Sequence, residues 1–234
     1  MKLKVVVPEE LEAEDVTVRA AAVAEGTVGA DVVLDWTGVR SPRQPGSDLD
    51  ETLLAVAVAE AAIDAETAGY DAVVVHSFLD PGLYALRSRL TIPVVGAGLA
   101  AYALSVDLGL RFAVLSPDRR QRHAIEKSIR LYGLSGRCAA IRAVTGDRDL
   151  LLAEATAAVE ENGADVVLLG STTMCDEAAF LAERLPCPVV DPGPVALKTA
   201  ERLVRLGLAH SKVAFPTPNV QQDEKLAPLL RSGT

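Results

Sequence analysis

Two serines carry the first chemical hint in this 234-residue chain. The run Asp71-Ala-Val-Val-Val-His-Ser77 is echoed by Asp165-Val-Val-Leu-Leu-Gly-Ser171, at an offset of 94 (171 − 77). Ile92-Pro93-Val94-Val95-Gly96 is then answered by Cys187-Pro188-Val189-Val190-Asp191, at an offset of 95 (187 − 92). Each copy reads as strand, serine, helix and a second strand opened by proline. Two copies are too few for a solenoid. They predict two similar lobes related by an approximate twofold axis, with Ser77 and Ser171 at the carboxyl ends of equivalent strands, facing each other across a cleft. A small planar molecule held there meets one hydroxyl on each face. A helix start after each serine offers N–H groups to an anion, and Thr172 and Thr173 add two hydroxyls, a cradle for a carboxylate or an imide carbonyl. Plain helix capping is the competing role for either serine.

The elements that must position these groups alternate along the chain. Val5–Val7, Val32–Leu34, Ala72–Val75, Val94–Val95, Phe112–Leu115, Val166–Leu169 and Val189–Val190 are short apolar runs, several of them continuous, as parallel strands buried on both faces require. Leu53–Ala68, Arg119–Tyr132, Leu150–Glu161 and Ala196–Leu206 have amphipathic helical character, and Gly133 and Gly163 stand where left-handed caps favour glycine. Strand–helix alternation over the whole length predicts an α/β fold with parallel sheets. Thr37–Asp50 reads as a polar binding loop near the carboxyl edge of the early strands, and the tail after Phe215 reads as weakly structured.

Composition removes other classes. The net charge of −9, with 23 Lys and Arg scattered along the chain, argues against a nucleic-acid surface. No apolar run is long enough to span a bilayer, and the short stretch after Met1 predicts a first strand rather than a signal peptide. Cys138, Cys175 and Cys187 form neither an even disulfide framework nor a metal-ligand pair, so the expectation is a cytoplasmic protein with reduced thiols and no metal.

Other groups have their own chemistry. His76 precedes Ser77 and titrates near neutrality, although successive strand residues point to opposite faces. Cys175 lies one helical turn beyond Ser171, as a displaced nucleophile or a buried inert thiol; Cys187 has no assigned role. Ser116-Pro117 opens a loop after Phe112–Leu115, and Asp80 either caps the helix after Ser77 or bonds to substrate. Gly96-Ala97-Gly98-Leu99, with Asp118 further on, matches a short dinucleotide fingerprint; a glycine-rich turn linking the lobes is the plainer reading, since the repeat copy Asp191-Pro192-Gly193-Pro194 lacks it.

At these residues the chain resembles the aspartate/glutamate/hydantoin racemase superfamily, most closely its hydantoin racemase branch. Ser77-Phe78-Leu79-Asp80-Pro81-Gly82-Leu83 looks like the first active-site segment of that branch. Leu169-Gly170-Ser171-Thr172-Thr173-Met174 looks like the second, extended by Pro188-Val189-Val190-Asp191 and Ala196-Leu197-Lys198. Leu131-Tyr132-Gly133-Leu134 and Leu206-Gly207-Leu208 widen the similarity to most of the chain. The resemblance implies two flavodoxin-like lobes, a homo-oligomer and chemistry without cofactor: one cysteine removes the proton α to a carbonyl and a second returns one from the other face. Related members decarboxylate or isomerise.

Both family cysteine positions are serine here. A thiol titrates near 8.5 and is readily activated, whereas a serine hydroxyl is far less acidic, so the two-thiol route cannot run as it stands. The family's asparagine-rich loop after strand one is also replaced, by Val7-Pro8-Glu9-Glu10, where Glu9 disfavours a second substrate carboxylate.

The resulting expectation is two pseudo-symmetric α/β lobes, residues 1–97 plus 199–234 and residues 98–198. The function is a racemase- or epimerase-type isomerase acting next to a carbonyl of a hydantoin-like amino-acid derivative. Ser77, Ser171 and His76 are its acid/base candidates; Phe78, Asp80, Ser116, Thr172, Thr173 and Pro8 are its substrate contacts. The alternatives are a lyase or decarboxylase of the same superfamily, a non-catalytic small-ligand binder, and a thiol-replaced form that traps ligand.

Overall fold

Runs of β-branched and leucine side chains form the central strands because both of their faces are covered. In the computed structural model, which describes residues 1–10, 26–39, 47–144 and 148–218, Ala72–Val75 (β3) and Val166–Leu169 (β7) are buried at every position. Lys2–Val7 (β1), Val33–Gly38 (β2) and Val94–Gly96 (β4) join β3 in a sheet of order β2-β1-β3-β4. Phe112–Ser116 (β5), Cys138–Ala143 (β6) and Val189–Val190 (β8) join β7 in a sheet of order β6-β5-β7-β8. The chain thus has an α/β fold with two four-stranded parallel sheets of the same topology.

Helices connect the strands, as parallel neighbours require: Asp48–Ala62 (α1), Leu83–Arg89 (α2), Ala97–Leu108 (α3), Arg122–Leu131 (α4), Arg148–Glu160 (α5), Cys175–Ala182 (α6) and Pro192–Arg205 (α7). Two compact units result, one of residues 1–76, 81–95 and 197–234, the other of residues 77–80 and 96–196. In the second unit Tyr102 is buried among Phe78 and Phe112, with ring centroids 5.2 and 5.4 Å away.

The sequence repeat is reproduced bond for bond. Asp71 accepts the Lys2 amide on Oδ2 at 2.7 Å and donates its own N–H to the Lys2 carbonyl at 2.8 Å. Asp165 accepts the Arg111 amide at 2.9 Å and donates to the Arg111 carbonyl at 2.8 Å. Each aspartate therefore staples the start of its strand to the neighbouring one. The Pro93 and Pro188 carbonyls accept the Val73 and Val167 amides, each at 2.9 Å.

Several expectations need correction. Strand β6 was missed, because Cys138-Ala-Ala-Ile-Arg-Ala has no continuous apolar run; it is an edge strand, half-buried along its length. The loop expected over Thr37–Asp50 is narrower, since Thr37 and Gly38 end β2 and Asp48 begins α1, whose cap Ser47 accepts the Asp50 amide at 3.2 Å. Residues 40–46 of that loop, and 219–234 of the tail, lie outside the described residues. Helix α7 starts four residues earlier than expected, with Pro192 in its first turn, where proline's missing N–H costs nothing.

The Asp165 carboxyl is held below its usual range, chiefly by the Arg111 amide. A depressed carboxylate contributes stability above its unfolded pKa and loses it as pH falls. Asp165→Ala is therefore expected to lower stability by roughly 1 kcal/mol at neutral pH, with the difference closing in acid; denaturant melts at two pH values measure it.

Candidate active site

Ser77 and Ser171 each stand two residues past the end of a central strand, in similar turns. The residue before each serine donates its amide to the neighbouring strand, His76 to the Val6 carbonyl at 2.8 Å and Gly170 to the Leu115 carbonyl at 2.7 Å. The Ser77 Oγ accepts the Leu79 amide at 3.4 Å, and the Ser171 Oγ accepts the Thr173 amide at 3.2 Å. Oγ of Ser171 also lies 2.8 Å from Oγ1 of Thr173. These are serine turns of the kind in which a hydroxyl takes the amide two residues on.

Neither serine caps a helix. The cap positions belong to Gly82 and Met174, so the helix start expected directly after each serine is displaced by six residues in α2 (83 − 77) and four in α6 (175 − 171). At Gly170 a Cβ would come within 2.8 Å of the Leu115 carbonyl oxygen. The second copy therefore admits only glycine where the first has His76.

Asp80 does not cap the helix that follows Ser77. Its two carboxylate oxygens accept the Gly98 amide at 2.9 Å and the Leu99 amide at 2.7 Å, and the Tyr132 hydroxyl donates to it at 2.8 Å. It sits at the start of α3, buried, with a left-handed φ of 52° that aspartate tolerates. A carboxylate there complements the helix dipole and fills the position a dinucleotide's pyrophosphate would need, which removes the nucleotide reading of Gly96-Ala97-Gly98. Gly98 has a different reason to be glycine: a Cβ would lie 2.0 Å from the Phe78 carbonyl oxygen. Gly98→Ala should lower stability by roughly 2 kcal/mol, read by thermal melting.

The remaining candidates separate. Phe78 was expected to touch substrate, but its ring is part of the buried core around Tyr102. Ser116 is buried, its Oγ donating to the Asp118 carbonyl at 2.9 Å. His76 is buried, its ring edge-on to Trp36 with centroids 5.1 Å apart. Thr172 is buried, Thr173 is exposed, and Pro8 is half-buried just after β1. Beside β6 runs an open groove of about 560 Å³ lined by Asp118, Arg119, Arg122, Arg142 and Glu154. Two of its cations are engaged: Arg122 donates to the Ile141 carbonyl at 3.2 Å, and Arg142 to Glu154 at 2.6 Å.

Burial raises the pKa of all three cysteines, and the Asp191 charge raises Cys175 further. None is a ready thiolate. Among the described residues no group of three His, Cys, Asp or Glu could hold a metal ion, and no helix is long and apolar enough to cross a membrane.

One titratable group stands in a motif quoted above but was given no role of its own. Asp191 follows β8 and caps α7, its Oδ1 accepting the Gly193 amide at 3.0 Å. Burial, reinforced by the Glu177 charge, pushes its carboxyl up to about 6. The available signal was the repeat itself, which has Gly96 at the matching position. A raised carboxyl pKa gives stability that is complete below the unfolded value and lost as pH rises through about 6. Asp191→Asn should therefore gain stability over the parent at alkaline pH, by at most about 3 kcal/mol, and show little difference near pH 4; melting temperatures across that range test it.

Comparison with known proteins follows the same lines. The family model described as Asp/Glu/Hydantoin racemase matches residues 13–200. A hydantoin racemase of Paenarthrobacter aurescens is 31% identical over 238 residues, covering 95% of this chain and 99% of its own. One from Pseudomonas sp. (strain NS671) is 31% identical over 224 residues, 91% of this chain and 90% of its own. The solved structure of allantoin racemase from Klebsiella pneumoniae superposes with a TM-score of 0.82 at 28% identity, over 94% of this chain and 95% of that one.

Proposed function

The chain belongs to the Asp/Glu/hydantoin racemase family, and on that premise we propose that it is a cofactor-independent isomerase acting at the carbon α to a carbonyl of a hydantoin-like amino-acid derivative. The relatives named hydantoin racemase and allantoin racemase support the cyclic-ureide class of substrate. The duplicated serine turn is the observation that carries the reading.

Such an isomerase must loosen a C–H bond beside a carbonyl, hold the resulting enolate and return a proton to the other face. In this proposal Ser77 and Ser171 stand at the two faces. Each Oγ already accepts a backbone amide, so the Ser77 proton, and one of the two that the Ser171 and Thr173 hydroxyls hold between them, can go to a ureide oxygen. Hydroxyls aimed at an oxygen that gains charge stabilise the enolate more than the starting ketone. Thr173 extends the donors on the Ser171 side.

A ligand binder without turnover is the second reading. It draws support from the weak acidity of a hydroxyl and from the raised pKa of every cysteine. Incubation of enantiopure benzylhydantoin in deuterium oxide separates the two. The isomerase reading expects deuterium at the α carbon together with slow loss of optical rotation. Ser77→Cys combined with Ser171→Cys should speed both by roughly 10². Saturable binding without exchange, in the parent and in the double variant alike, overturns it.

A further inference from the structure

A serine hydroxyl can hold an enolate but is a poor base for making one, so the isomerase reading needs a stronger base. The Ser171 end of the second sheet holds a suitable group. Strand β8 pairs with β7 in the register Val167↔Val189 and Leu168↔Val190. The two strands run parallel, so Asp191, the residue after β8, and Ser171, two past the end of β7, stand at the same edge of the sheet on neighbouring strands. Asp191 is only partly exposed. Its Oδ1 is occupied by the Gly193 amide. Among the described residues Oδ2 takes no hydrogen bond, and it is not among the buried polar atoms left without a partner, so it reaches the surface. Cys175, the first residue of α6 and four past Ser171, lies within the field of this carboxylate, as does Glu177 of the same helix. The carboxyl thus shares one edge of the sheet with the segment that begins at Ser171 and has the first turn of α6 as its charged neighbour.

We propose that Asp191 is the proton-exchanging base of the Ser171 half of the site, a catalytic residue in place of the absent thiol. This rests on the isomerase reading above. In the forward step Oδ2 takes the α proton: the C–H bond breaks, an O–H bond forms, and the electron pair moves into the enolate, whose charge settles on the carbonyl oxygen. The reverse step returns a proton from the same carboxyl to the same carbon. Nothing is oxidised or reduced, and water exchanges the proton held on Asp191. A carboxyl that titrates at about 6 is matched to both directions near neutrality.

The two copies differ here, because Gly96 stands at the position equivalent to Asp191 and brings no acid. Exchange on the Ser171 face should therefore outrun inversion. In deuterium oxide, enantiopure benzylhydantoin should gain deuterium at the α carbon about tenfold faster than it loses optical rotation. The enzymatic exchange rate should rise with pH and level off above a midpoint near 6.

Asp191→Asn keeps an oxygen for the Gly193 amide and removes the base. It should lose exchange at least about 10²-fold with the melting temperature unchanged near pH 4 and not lowered at higher pH, and Asp191→Glu should recover part of the rate with a displaced midpoint. Should the Asn variant fail to fold, the Glu variant decides by whether its midpoint moves. Exchange in the Asn variant at the parental rate and midpoint, or a Glu variant with an unmoved midpoint, overturns the assignment of Asp191 and leaves the isomerase reading intact. A parent that binds benzylhydantoin but never exchanges overturns the isomerase reading, and this inference with it.

Discussion

Parallel pairing of β3 on β1 and of β7 on β5 governs where the two serines stand. In each pair the last amide after the strand, from His76 or Gly170, is donated to the neighbouring strand's carbonyl. The chain is released only after that bond, so the next residue is the first free to turn. That residue is a serine both times. Its hydroxyl then accepts the amide two positions on, and at Ser171 it also shares a hydrogen bond with the Thr173 hydroxyl. The aspartates at the opposite strand ends, Asp71 and Asp165, hold the register by bonding both ways to the adjacent strand. A slip of one residue would turn each strand's side chains to the wrong face and carry the serine with them.

Asp80 illustrates how a residue in a segment that resembles an active-site motif can have a scaffolding role. Its carboxylate bonds two α3 amides and a tyrosine hydroxyl, and Gly98 lets the Phe78 backbone come close enough for that arrangement. The segment from Ser77 to Asp80 is thereby anchored to the second unit by its side chains and main chain, with Phe78 in the core and Asp80 on the helix start. Ser77, half-buried between such fixed neighbours, has little freedom left.

Much of this was legible because buried parallel strands leave a plain mark: Ala72–Val75 and Val166–Leu169 are continuous apolar runs, and their flanking Asp and Ser recur in step. Strand β6 left no such mark, since an edge strand needs only one covered side and alanine suits it poorly. The roles of Asp80 and Asp191 were not legible for another reason. A carboxylate's partners come from elements distant in the chain or from the depth at which it is buried, and neither appears in local spacing. The expectation that each serine opens a helix failed at a finer level: the turn inserts four to six residues, a detail set by backbone geometry rather than residue type.

Gly170 has a consequence for how far the two halves can be made alike. Its missing side chain is imposed by the carbonyl of Leu115, whereas His76 at the matching place is accommodated next to Trp36. Glycine could be accepted at 76 at the cost of a void, but no side chain could be accepted at 170 without moving β5. Divergence of the duplicated unit at this point is therefore a ratchet, easy to relax in one copy and sterically locked in the other.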